Sequence, residues 1–166
     1  MRYAQIRAMD VTNGDGIGVA VFVQGCDFHC KNCFNQITWD WDGGYVWNEV
    51  KERELFELCN KPYITRLSIL GGEPLSPKNI GTVIELANHF KEKFPNKKLW
   101  IWSGYNFENY ISKTDIIQYA DYIIDGLYEE DKKDFRLLFK GSSNQRVIDV
   151  RQSLETNQVA LYEEQH

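Results

Sequence analysis

Three of the chain's four cysteines, Cys26, Cys30 and Cys33, fall within the stretch Gly25-Cys26-Asp27-Phe28-His29-Cys30-Lys31-Asn32-Cys33-Phe34-Asn35, spaced C-x3-C-x2-C. Thiolates are metal ligands, and their number narrows the centre. A structural zinc site takes four ligands, whereas three leave one coordination position for something other than protein. A [4Fe-4S] cluster held at three corners meets that condition, because its fourth iron can take a small chelating ligand. The plain alternative is a zinc or redox site closed by His29 or Cys59. Otherwise His29 reads as a solvated loop residue and Cys59, at the end of a helical stretch, as a buried free thiol.

The elements that must hold these thiols are legible from periodicity. Residues 1–17 read as irregular, with Asn13-Gly14-Asp15-Gly16 as a turn signal. Residues 18–24 are β-branched and apolar, a buried strand that delivers the cysteine loop from its C-terminal end; the loop runs on to Gly44. Residues 47–59 carry Val50, Leu55, Phe56 and Leu58 among charges, a helical pattern that Pro62 closes. Strand 67–70 ends in Gly71-Gly72-Glu73-Pro74. Helix 77–94 follows, with Ile80, Val83, Ile84, Ala87 and Phe90 on one face, then strand 99–102 and the loop Ser103-Gly104-Tyr105. A helix-like stretch over 107–119 leads to strand 122–124 and the loop Asp125-Gly126. Residues 137–139 and 147–150 read as short strands around Gly141-Ser142-Ser143-Asn144-Gln145-Arg146, and the tail from Arg151 as helical or frayed.

Strands alternating with helices imply parallel pairing, right-handed crossovers and strand C-termini along one edge, where ligands bind. The cysteine loop, Gly-Gly-Glu-Pro, Ser-Gly-Tyr and Asp-Gly therefore converge. Roughly five or six strands fall short of the eight of a closed barrel. The expected fold is α/β, a single-domain partial (open) β/α barrel with mostly parallel strands over residues 1–166 and a peripheral tail.

Composition agrees with one globular domain: 166 residues, 43% hydrophobic and 14% aromatic. No apolar run reaches bilayer length and no signal-peptide core opens the chain, so a cytoplasmic location is expected, with thiols reduced and available to metal. A net charge of −5 without a basic block argues against a nucleic-acid surface. Tyr128-Glu129-Glu130-Asp131-Lys132-Lys133 reads as a solvated loop. Trp39, Trp41 and Trp47 read as loop or core packing, or as a partner anchor if exposed.

The cysteine triplet after one strand and Gly-Gly-Glu-Pro after the next resembles the radical S-adenosylmethionine superfamily. Within it, Val11-Thr12-Asn13-Gly14, Ile101-Trp102-Ser103-Gly104-Tyr105, Ile124-Asp125-Gly126 and Lys140-Gly141-Ser142-Ser143-Asn144-Gln145-Arg146 look like the activases of anaerobic (class III) ribonucleotide reductase. The likeness spans roughly residues 3 to 147, on those motifs. One departure stands out: many superfamily members place an aromatic before the third cysteine, where this chain has Asn32, and here the aromatic is Phe34.

The resemblance implies that Cys26, Cys30 and Cys33 hold a [4Fe-4S] cluster whose open iron is chelated by S-adenosyl-L-methionine. One-electron cleavage then gives a 5′-deoxyadenosyl radical that takes hydrogen from a glycine of the reductase. It implies cofactor contacts from Asn32, Cys33, Phe34, Gly71, Gly72, Glu73, Ser103 and Asp125, with catalysis resting on cluster and cofactor. Gly71 and Gly72 suit close backbone approach to the cofactor, and Glu73 either orients an ammonium or braces the loop. Ser103 and Asp125 also fit cap or turn roles. The implied partners are the anaerobic ribonucleoside-triphosphate reductase and a flavodoxin or ferredoxin donor. An activase of the pyruvate formate-lyase type and a non-catalytic zinc- or iron-binding module are the alternatives.

Overall fold

The computed structural model describes residues 1–163. In chain order the strands are β1 (Arg2–Asp10), β2 (Gly18–Val23), β3 (Tyr45–Val46), β4 (Arg66–Gly71), β5 (Lys98–Trp102), β6 (Tyr122–Asp125), β7 (Arg146–Asp149) and β8 (Ala160–Leu161). The helices are α1 (Glu49–Cys59), α2 (Ile80–Lys93) and α3 (Val150–Thr156). All eight strands form one open mixed sheet in the order β3-β1-β2-β4-β5-β6-β7-β8. Among the described residues no helix is long and apolar enough to cross a membrane.

The four middle strands are parallel, and their register explains the site. Val23 pairs with Gly71, Ile69 with Ile101 and Trp102 with Ile124, so the C-termini of β2, β4, β5 and β6 lie along one edge. Alternating side chains give the sheet two different faces. Val19, Val21, Val23, Leu67, Ile69 and Ile101 are sealed under α1 and α2, which contribute Leu55, Phe56, Val83, Leu86 and Phe90. Ala20, Phe22 and Leu70 point the other way, beside Ala4 and Trp102.

That second face is closed at its lower end by the 11–17 loop. Arg66, fully buried at the start of β4, donates to the carbonyls of Asp10, Asp15 and Gly16, to Ser68 Oγ at 2.7 Å and to Asp10 Oδ1 at 3.0 Å. Burial raises the Asp10 carboxyl, but hydrogen bonds from Asn13, Arg66 and Arg7 outweigh it and leave the group below its ordinary range. Gly14 takes a positive φ of 117° and packs against Arg66 and Trp100 with no room for a side chain.

Several expectations need correction. Residues 2–10 are not irregular: they form β1, an antiparallel neighbour of β2 whose alternation is blurred because only Tyr3 and Asp10 are buried. Parallel pairing stops at the middle strands, and β1, β3, β7 and β8 add antiparallel edges. The 107–119 stretch folds as two 3-10 turns, Ile111–Lys113 and Asp115–Gln118, instead of a helix. Residues 137–139 are not a strand; Phe139 has a φ of 65° and its carbonyl accepts the Trp102 indole N–H. The tail is helical over α3, as read, and adds a short strand, β8, that the sequence did not mark.

Candidate metal centre and cofactor site

The cysteine loop is shaped by its own polar side chains before any ligand is considered. The amides of Gly25 and Cys26 donate to the carbonyls of Thr38 and Trp39, pinning the loop to a 3-10 turn at Gln36–Thr38. Gln24 Nε2 donates to Ile37 O, Thr38 Oγ1 to Asn35 O, and the Asn35 amide to Cys33 Sγ at 3.4 Å. His29, exposed and at a φ of 49°, stacks on Trp39 with 4.4 Å between ring centres. The Trp41 indole donates to Asp27 and its ring covers Gly25. Trp39 and Trp41 thus brace the loop, whereas Trp47 packs edge-on against Tyr3.

The Gly-Gly-Glu-Pro loop docks on the cysteine loop backbone to backbone. Gly72 N donates to Val23 O and Glu73 N to Gly25 O. A Cβ on Gly72 would stand 2.5 Å from the Gly25 carbonyl oxygen, and Gly71 has a φ of 111°. The glycines are therefore required by loop-loop contact, a reason that the sequence does not show.

Glu73 joins the next loop. Its carboxylate accepts from the Gly104 amide at 2.7 Å, the Ser103 hydroxyl at 2.8 Å and the Leu75 amide at 2.9 Å. Burial pushes its carboxyl up to about 7, with those three donors opposing the rise. Of the two roles expected for it, the geometry displays the brace. Asn79, a buried residue that the sequence reading passed over, donates to both Gln24 O and Glu73 O and ties the first two loops together.

These loops surround one open cavity of about 460 Å³, within the range of small-molecule cofactor sites. Cys26, Cys30, Cys33, Phe34, Gly71, Gly72, Glu73 and Ser103 all line it. Asn32 and Asp125 do not. Asn32 is exposed at a φ of 55°. Asp125 is buried, accepts the Phe107 amide and pairs at 2.6 Å with Arg146, which also pairs with Glu108. The lining adds Phe28, Trp102, Asn13 and Tyr128, which the sequence left as motif filler or solvated loop. Only strand polarity hinted at Trp102, and nothing local marked Tyr128.

All four cysteines are free thiols, and only Cys59 is buried in the apolar core, its thiol pushed by burial to about 12. Burial also raises Cys26 and Cys30, and nearby charge adds to it, Glu73 and Cys30 for Cys26 and Cys33 and Glu73 for Cys30, with nearby amides of Phe28, His29 and Tyr128 opposing. A bound cation reverses that balance. Among the described residues no three His, Cys, Asp or Glu side chains converge as ligands of a single ion. Three thiols set around one cavity suit a cluster with one thiolate per iron better than mononuclear zinc.

Comparison with known proteins bears on the same residues. A family model described as a 4Fe-4S single cluster domain matches residues 12–148. The anaerobic ribonucleoside-triphosphate reductase-activating protein of Enterobacteria phage T4 is 38% identical over 147 residues, covering 89% of this chain and 93% of its own. The protein of that name from Pasteurella multocida is 34% identical over 150 residues (87% and 95%), and that from Escherichia coli K12 31% over 154 (91% and 100%). With three free thiols on one loop and this agreement over most of its length, the chain belongs to the anaerobic ribonucleoside-triphosphate reductase-activating protein family and carries a 4Fe-4S single cluster domain.

Proposed function

We propose that this chain is a radical S-adenosylmethionine activase that generates the glycyl radical of an anaerobic ribonucleoside-triphosphate reductase. The observation that carries the reading is the meeting of the three-thiol loop with the Gly72 and Ser103 loops around one cavity. Cys26, Cys30 and Cys33 hold the cluster. The Gly71-Gly72-Glu73 backbone, Ser103 and Phe34 are positioned to contact S-adenosylmethionine, while Asn32 and Asp125 act from outside the cavity lining. When bound, cluster and cofactor supply a 5′-deoxyadenosyl radical that removes hydrogen from a glycine Cα of the reductase. The protein's residues bind, orient and shield.

Glu73 holds the Ser103-Gly104 loop against the Gly72 loop, so the cofactor meets preformed backbone. Residues 1–166 act as one domain, an open β/α barrel whose incomplete side admits a macromolecular substrate. Electrons come from a flavodoxin- or ferredoxin-type donor.

The test is electron paramagnetic resonance on anaerobically reconstituted, dithionite-reduced protein. A [4Fe-4S]+ signal that shifts with S-adenosylmethionine, and a glycyl-radical doublet once the reductase is added, are expected. A signal indifferent to the cofactor, or no doublet, refutes the reading.

A further inference from the structure

One side of the cavity is walled by a strap, residues 127–141, with little regular structure: a single 3-10 turn at Glu130–Lys132. It meets the cysteine loop directly. The Tyr128 ring lies 4.9 Å from that of Phe34, Gly141 packs under the same Phe34 ring, and the Tyr128 amide faces the Cys30 thiol. Its regular pairing is slight, one bridge between Lys133 and Ser142, and the Trp102 indole of β5 holds only its far part at Phe139 O, so its ends need a further source of order.

The turn after it supplies that order at both ends. Gln145 Oε1 accepts the amides of Gly141 at 3.0 Å and Ser142 at 3.2 Å, while Nε2 donates to Gly126 O at 3.0 Å. Gly126 immediately precedes the strap and Gly141 ends it, so one carboxamide ties both ends together. Neighbours secure its first half. Asn144 Nδ2 donates to Leu127 O at 2.7 Å, the Glu129 amide to the buried Ser142 Oγ, and the Ser143 amide to Lys132 O.

We propose that Gln145 is a positioning residue: by pinning the strap's two ends it sets the cavity wall that meets the cysteine loop, and thereby the fit of the cofactor. The identity of that cofactor, S-adenosylmethionine, rests on the activase reading; the clamp itself does not. Gln145→Ala removes all three hydrogen bonds, whereas Gln145→Glu keeps the acceptor for Gly141 and Ser142 and loses the donor to Gly126.

Hydrogen-deuterium exchange of the full chain tests the clamp with or without iron. In Gln145→Ala the strap amides exchange at least ~10-fold faster while α2 is unchanged, with Gln145→Glu intermediate; the S-adenosylmethionine concentration that half-shifts the reduced-cluster signal rises ~10-fold. Wild-type strap exchange, faster exchange spread equally over α2, or an unmoved cofactor midpoint overturns the proposal. If Gln145→Ala does not fold, Gln145→Glu decides by the same readings. A wild-type cluster indifferent to S-adenosylmethionine sinks the activase reading alone, because the exchange comparison still stands.

Discussion

Glu73 concentrates the site's electrostatics in one side chain. It is a buried carboxyl, raised by desolvation to about 7, that receives three donors from two loops. A raised acid holds its proton in the folded state after the unfolded chain has released it, so its contribution to stability falls as pH climbs from 4.5 to about 7. Urea titrations across that window should show wild-type stability falling more steeply than that of Glu73→Gln. The cysteines divide just as clearly. Cys30→Ser should lose iron and visible absorption, whereas Cys59→Ala should keep both and cost about 1 kcal/mol of stability through a small cavity in the core.

At the scale of elements, the loops are held by contacts that tolerate little change. A methyl on Gly72 meets the Gly25 backbone, which has no flexible end to move aside. Gly72→Ala should therefore cost about 1–3 kcal/mol in chemical denaturation and displace the cysteine loop. The 11–17 loop depends in the same way on Arg66. Replacing it by Met leaves the buried Asp10 with only the partly exposed Arg7 as its cation and strips the loop carbonyls of their donor, a loss of up to about 3–5 kcal/mol by the same measurement. Asp10, held below its ordinary 3.8, adds stability that is complete above that pH and disappears as pH falls below it; Asp10→Asn should remove this acid-limb component.

For the whole molecule, the cavity and the core occupy opposite faces of the sheet. The buried residues under α1 and α2 include none of the three loop cysteines. Removing iron by chelation should therefore leave a cooperatively unfolding protein with the same far-ultraviolet circular dichroism, unlike a zinc finger that collapses without metal. Loss of the folded signal on chelation would show that the cysteine loop carries the fold.

Spacing alone singled out Cys26, Cys30 and Cys33, while short apolar runs placed β2, β4, β5 and β6 and a period of 3.6 placed α1 and α2, because strands buried on both faces and amphipathic helices leave those patterns in the chain. Strand polarity then brought Gly72, Glu73 and Ser103 to the cysteines' edge. Strand β1 escaped notice because an edge neighbour with two buried positions carries little pattern. The strap and its Gln145 clamp were illegible because their order comes from hydrogen bonds between Gly126 and residues 141–145, which no local period records. Residue identity determined which chemistry is possible. Tertiary packing decided why Gly72 must lack a side chain, which loop Glu73 grips and what walls the cavity, since each depends on distances between segments far apart in sequence.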